Sequence, residues 1–169
     1  MISVTQGIEY RKRDITIFVG TEKVPCPVCG GSLRVRGTCI RKLRRKDGVE
    51  TYQLRVLKCE ECERTHRELP KGIVPYKRMD SEMLGTIAED NGKDDLDVPG
   101  ISTWERVKVW VEWFLTYARH IYEGQKKALG HTLPSISTGE SIRRQLEYSV
   151  RLVVNSGNWI QHRSVMRAG

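Results

Sequence analysis

Two observations predict an α+β chain in which a small antiparallel β unit comes first and an all-helical unit follows. The first is a pair of Cys-x-x-Cys segments, Cys26-Pro27-Val28-Cys29 and Cys59-Glu60-Glu61-Cys62, with 29 residues between them. The second is a change of hydrophobic period from two to three-and-four beyond residue 80. These place the β unit at 1–75 and the helical unit at 76–169.

Each Cys-x-x-Cys can fold as a knuckle that aims two thiolates at one point. Four thiolates in a tetrahedron suit Zn²⁺ in a closed structural site, so Cys26, Cys29, Cys59 and Cys62 are the expected ligands. Gly30 and Gly31 follow the first knuckle, where the backbone needs a positive φ or little bulk. A redox Cys-x-x-Cys would need a βαβ context, and no such pattern is visible. Disulfides would fit a secreted chain, and the N-terminus has no basic flank with an apolar run behind it. His66 could replace a cysteine; with four thiolates available it is expected to pack beside the site. Cys39, the fifth cysteine, is expected to act as a small buried hydrophobe.

Between the knuckles, Leu33 to Arg41 and Thr51 to Lys58 alternate at period two, as half-buried strands do. Lys46-Asp47-Gly48 joins them as a hairpin turn. Arg64 to Pro70 reads as a third short strand. This is the build of a zinc ribbon, whose small apolar content requires the metal to hold it. Ahead of it, Ile8-Glu9-Tyr10 and Ile15 to Val19 read as short strands laid beside the ribbon.

Asp80 or Ser81 is expected to cap a helix running to about Glu89, which buries Met83, Leu84, Ile87 and Ala88. The acids from Glu89 to Asp97 do not match an EF-hand loop and are taken as solvated. Ser102-Thr103-Trp104-Glu105 reads as a capping box. The long helix behind it carries Trp104, Val107, Val111, Phe114, Ala118 and Ile121 as one stripe. Ser137 to Glu140 is expected to start a last helix, ended by Asn155-Ser156-Gly157. Helix, tight acidic turn and capped helix together read as helix-turn-helix-like, a pattern any αα-hairpin shares.

The chain of 169 residues has 29 basic and 21 acidic side chains, a net charge of +8. Residues 1–75 carry +7, residues 76–100 carry −4 and residues 101–169 carry +5. No apolar run approaches membrane-spanning length, and a cytoplasmic, reducing location is expected. The hairpin arm holds Arg34, Arg36, Arg41, Lys42, Arg44, Arg45 and Lys46, a set suited to backbone phosphates or a major groove. Thr103, Arg106 and Lys108 stand at the end of the capped helix that reads bases in helix-turn-helix motifs.

Several of these stretches resemble a family of bacterial zinc-ribbon and helix-turn-helix proteins of unknown function associated with mobile elements. They are Cys26-Pro27-Val28-Cys29, Cys59-Glu60-Glu61-Cys62 with Arg64-Thr65-His66, Leu69-Pro70, Pro75-Tyr76-Lys77-Arg78, Ser102 to Arg106 and Trp110 to Trp113. The tail from Val154 to Trp159, with Arg163-Ser164, is similar as well. The ribbon followed by Leu-Pro and Pro-Tyr also resembles the N-terminal DNA-binding region of insertion-sequence transposases. The resemblance implies DNA binding linked to transposition or its control.

No Gly-rich phosphate loop, nucleophile elbow or metal-hydrolase helix occurs, and a non-enzymatic role is expected. The expected function is a zinc-binding, DNA-binding regulator or accessory factor of a mobile element, monomeric or dimeric. The alternatives are an adaptor that binds another protein through ribbon or helices, and a transposase-related fragment.

Overall fold

The computed structural model describes residues 1–89, 101–129 and 139–159. Among these residues the strands are β1 (Ile2–Val4), β2 (Gly7–Lys12), β3 (Ile15–Gly20), β4 (Leu33–Arg45), β5 (Gly48–Cys59) and β6 (Thr65–Pro70). The helices are α1 (Ser81–Glu89), α2 (Ile101–Leu129) and α3 (Ile142–Asn155). No helix of the described residues is long and apolar enough to cross a membrane.

The expected ribbon followed by an all-helical unit is overturned. The six strands form one mixed sheet, a half-barrel in the order β1-β6-β5-β3-β2, with β4 also on β5. β4 pairs antiparallel with β5 from Arg45/Gly48 to Leu33/Cys59 and occupies one edge throughout. The other edge of β5 is divided. β3 runs parallel to it at Thr51–Gln53, and β6 runs antiparallel to it at Val56–Lys58. The N-terminal strands are thus part of the sheet itself. β1, absent from the sequence reading, lies parallel to β6 from Ile2/Glu68 to Val4/Pro70.

Local chemistry explains the elements that were legible. In the β4–β5 turn only Gly48 takes a positive φ, at 126°; the two-residue loop is Lys46-Asp47. Asp80 caps α1, its Oδ1 accepting from Met83 N at 2.8 Å. α2 begins at Ile101, so Ser102 lies inside the helix rather than capping it. The helix-turn-helix reading fails as well. The helices pack with one mixed sheet instead of forming a separate helical unit, and the acids from Asp90 to Asp97 lie outside the described residues. The third helix starts five residues later than expected, with Ser141 as N-cap; its Oγ accepts from Arg144 N at 3.5 Å.

The core has two parts. One lies on the sheet, with Ile2, Val4, Phe18, Leu43, Tyr52, Leu54 and Leu69 buried. The other joins the helices, with Leu84, Trp110, Val111, Phe114, Leu146, Val150 and Trp159 buried. Phe114 is sandwiched by Trp110 at 5.1 Å and Trp159 at 5.2 Å between ring centroids. Trp113 and Tyr117 stack beside them at 5.4 Å. α1 and α3 cross so closely at Gly85 that a Cβ there would stand 2.9 Å from Arg143 N.

Polar clasps bind the helices to the sheet. The Asn155 side-chain amide accepts from Ser3 N at 2.8 Å and donates to Ser3 O at 2.9 Å, completing the outer edge of β1. Arg151 donates two hydrogen bonds to Glu22, which also accepts from Thr5 N and Oγ1. Where β3 and β6 part, the buried Glu68 carboxylate accepts from Gly20 N at 3.1 Å and from Arg55 Nε and Nη2 at 2.8 and 2.7 Å. Arg55 returns a bond to Gly20 O at 2.6 Å.

Removing one partner of a buried ion pair strands the other, so Glu68→Leu should cost about 3–5 kcal/mol in urea unfolding, and Glu68→Leu/Arg55→Met should recover part of it. The Arg151 bonds hold the Glu22 carboxyl down to about 2, below its ordinary 4.5. A carboxylate depressed on folding stabilises the chain above its unfolded value and loses that contribution as pH falls through the folded one. Arg151→Met should therefore lower stability by about 1 kcal/mol at pH 7. The gap to the parent chain should close between pH 4.5 and pH 2, as read by Tm measured at each pH.

Candidate metal centre and basic arm

The two knuckles meet at one end of β4 and β5. Cys26 and Cys29 precede β4, Cys59 ends β5 and Cys62 precedes β6. In each knuckle the residue after the second cysteine takes a positive φ, Gly30 at 79° and Glu63 at 58°. Glu63 meets this cost with a side chain held by Lys58 Nζ at 2.8 Å. Gly30 N donates to Cys26 O and Cys26 N to Gly31 O, closing the first turn. Gly31 answers a different need: a Cβ there would lie 1.7 Å from Glu61 Oε2. That carboxylate accepts from Ser32 N at 3.0 Å and ties the second knuckle to the first.

The four Sγ atoms all lie within 4.8 Å of one another. Cys26 and Cys62 are 3.7 Å apart, Cys29 and Cys59 3.5 Å. A tetrahedron with metal–sulfur bonds of about 2.3 Å has edges of about 3.8 Å, and a disulfide needs about 2.05 Å. The donor set therefore fits a tetrahedral metal ion and not a pair of disulfides. The Arg64 amide draws the Cys62 thiol down to about 7, while burial pushes Cys59 up to about 12. Metal binding must displace protons from such thiols and weakens as pH falls.

His66 stands beside the cluster rather than in it. It is buried, with Nε2 at 3.4 Å from Cys26 Sγ and Nδ1 at 3.1 Å from the Met1 amine. Desolvation lowers its pKa to about 4, so it is neutral at pH 7. Cys39 is half-buried against the sheet core and lies outside the cluster. The knuckle also touches the helical end of the chain. Gly157, at φ 77°, faces Pro27 O so closely that a Cβ would stand 2.4 Å from it.

The basic arm divides by strand face. Arg41, Leu43 and Arg45 point inward, as period two requires once Leu43 is buried. Arg41 Nη2 donates to Val74 O and Lys77 O, both at 2.6 Å. Arg45 donates to Tyr52 Oη and pairs with Glu50 at 3.2 Å and Asp80 at 3.5 Å. These two are structural ties. Arg34, Arg36, Lys42 and Lys46 are exposed, and Arg44 is half-exposed with its amide bonded to Arg78 O. Arg36 sits at the irregularity between Val35 and Gly37. Arg34 lies 4.0 Å from Glu60, an exposed and weak pair. On α2, Arg106 is exposed and donates to Ser102 O at 2.9 Å, while Thr103 and Lys108 are half-exposed. α2 packs on α1 and α3.

Cys59→Ser removes one donor from a closed set. Metal analysis should find the bound ion lost, and circular dichroism should show the strand signal weakened, while Cys39→Ser should leave both unchanged.

No curated protein and no solved structure matches the chain. Residues 26–107 match the family model for the domain of unknown function (DUF6431), a span that opens on the first knuckle cysteine and holds all four.

Proposed function

We propose that this chain is a non-enzymatic, zinc-stapled DNA-binding protein that grips backbone phosphates through its β4–β5 arm. The observation that carries the reading is the exposed set Arg34, Arg36, Lys42 and Lys46 along β4 and its turn, the long edge strand of the sheet whose start lies at the four cysteines. Zn²⁺ is the metal of the proposal because four thiolates in a tetrahedral shell suit it, and because it adds rigidity without redox chemistry. Lysine and arginine on a stiff support neutralise phosphates and release counterions, which gives affinity with little sequence preference. Base reading by Thr103, Arg106 and Lys108 is not part of the proposal, since the helices belong to the fold of the sheet rather than to a separate helix-turn-helix unit. The resemblance to mobile-element proteins makes a regulator or accessory factor of such an element the biological role that fits.

Arg36→Ala/Lys46→Ala should weaken binding to every duplex and flatten the salt dependence by about 0.9 per lost contact, as measured by titration at several salt concentrations. Unchanged affinity and slope would leave the adaptor reading in its place. The parent chain should bind without nicking DNA in Mg²⁺ or Mn²⁺.

A further inference from the structure

Among the described residues, the sheet has a second face that neither the cysteine cluster nor the helices use. Paired residues on neighbouring strands share a face, so the register defines it. One cross-strand row runs Tyr10, Ile17, Gln53, Ile40 across β2, β3, β5 and β4. The next row runs Lys12, Ile15, Thr51, Lys42 across the same strands. Ile8 with Val19, and Val49 with Arg44, extend the face at either end. Ile8, Tyr10, Ile40 and Val49 are 59%, 51%, 57% and 62% exposed. An uncovered apolar surface of this kind marks a binding site more often than chance.

Charge says what kind of partner fits. These rows contain no carboxylate, while Lys12, Lys42 and Arg44 are all on them. Lys12 and Lys42 are exposed and enter no ion pair among the described residues. They stand at opposite ends of one row, three strand spacings or about 14 Å apart. A second copy laid on this face would oppose like charges with no acid to answer them. The complementary partner has flat apolar faces joined by anionic groups. We propose that the open face of β2, β3, β5 and β4 binds single-stranded nucleic acid, with bases stacked on Tyr10 and the isoleucines and phosphates at Lys12 and Lys42. A duplex hides its base faces and could use only the lysines. This inference rests on the nucleic-acid reading above and adds to it a strand preference and a second surface, which shares Lys42 with the first.

The test uses the full zinc-loaded chain, a labelled oligo(dT) and a labelled duplex of equal length, read by fluorescence anisotropy. Tyr10→Ala/Ile40→Ser should weaken oligo(dT) binding about tenfold or more and leave duplex affinity unchanged. Tyr10→Phe keeps the stacking ring and should stay within about twofold of the parent. Both side chains are more than half exposed, and circular dichroism should confirm that the variants fold. Duplex binding without oligo(dT) binding would overturn this inference and leave the phosphate-gripping arm intact. An unchanged oligo(dT) affinity in Tyr10→Ala/Ile40→Ser would overturn it too. So would loss of a dimer in sedimentation with oligo(dT) binding untouched, which would assign the face to a second copy.

Discussion

The sheet depends on a single buried carboxylate. β5 offers one edge to two strands of opposite direction, and the two must be held apart and in register where they diverge. Glu68 does this from β6 by accepting from the amide at the end of β3 and from the guanidinium on β5, so all three strands meet at one group. Gly20 is the residue that lets the carboxylate in, since a Cβ there would lie 2.5 Å from Glu68 Oε1. A charge this deep is stable only because every bond it needs is made on the spot. Once the fork is fixed, β6 can carry β1, and β1 can carry α3.

The cysteine cluster holds two of these strands, β5 and β6, together with β4. Cys59 closes β5, Cys62 leads into β6 and the first knuckle leads into β4, so one ion would fix the end of β5 against the starts of β4 and β6. The knuckles bring little apolar surface of their own. Val28 is exposed, while Cys26 and Cys59 are buried. Ligation can therefore do what a hydrophobic core does elsewhere, at a place too thin to have one.

What could be read from the sequence was local. Knuckle spacing, the turn glycines, the Asp80 cap and the α2 stripe act within a few residues, and each is where its chemistry predicts. What could not be read was set by distant partners. The parallel pairings β1–β6 and β3–β5 join segments far apart in the chain and leave no local pattern. β1 is three residues long, with Ser3 as buried as its apolar neighbours, so no alternation marks it. The basic run divides in a way its charge does not show. Counting charge across Arg41 to Lys46 treats alternate residues as equals, while the strand period turns Arg41 and Arg45 toward Val74, Lys77, Tyr52 and Asp80. The inward direction was legible from Leu43 between them. The bare face around Tyr10 and Ile40 was not, because it exists only once four strands are side by side.

Gly157 is where the two halves of the chain constrain each other's evolution. Its positive φ ends α3 and favours glycine or asparagine. Its contact with Pro27 O removes asparagine, because any Cβ meets a backbone oxygen that no side-chain change at position 27 can withdraw. Position 157 has one permitted residue, and compensation would have to come from moving the knuckle itself. Drift in the last helix is in this way limited by a metal site more than a hundred residues earlier in the chain.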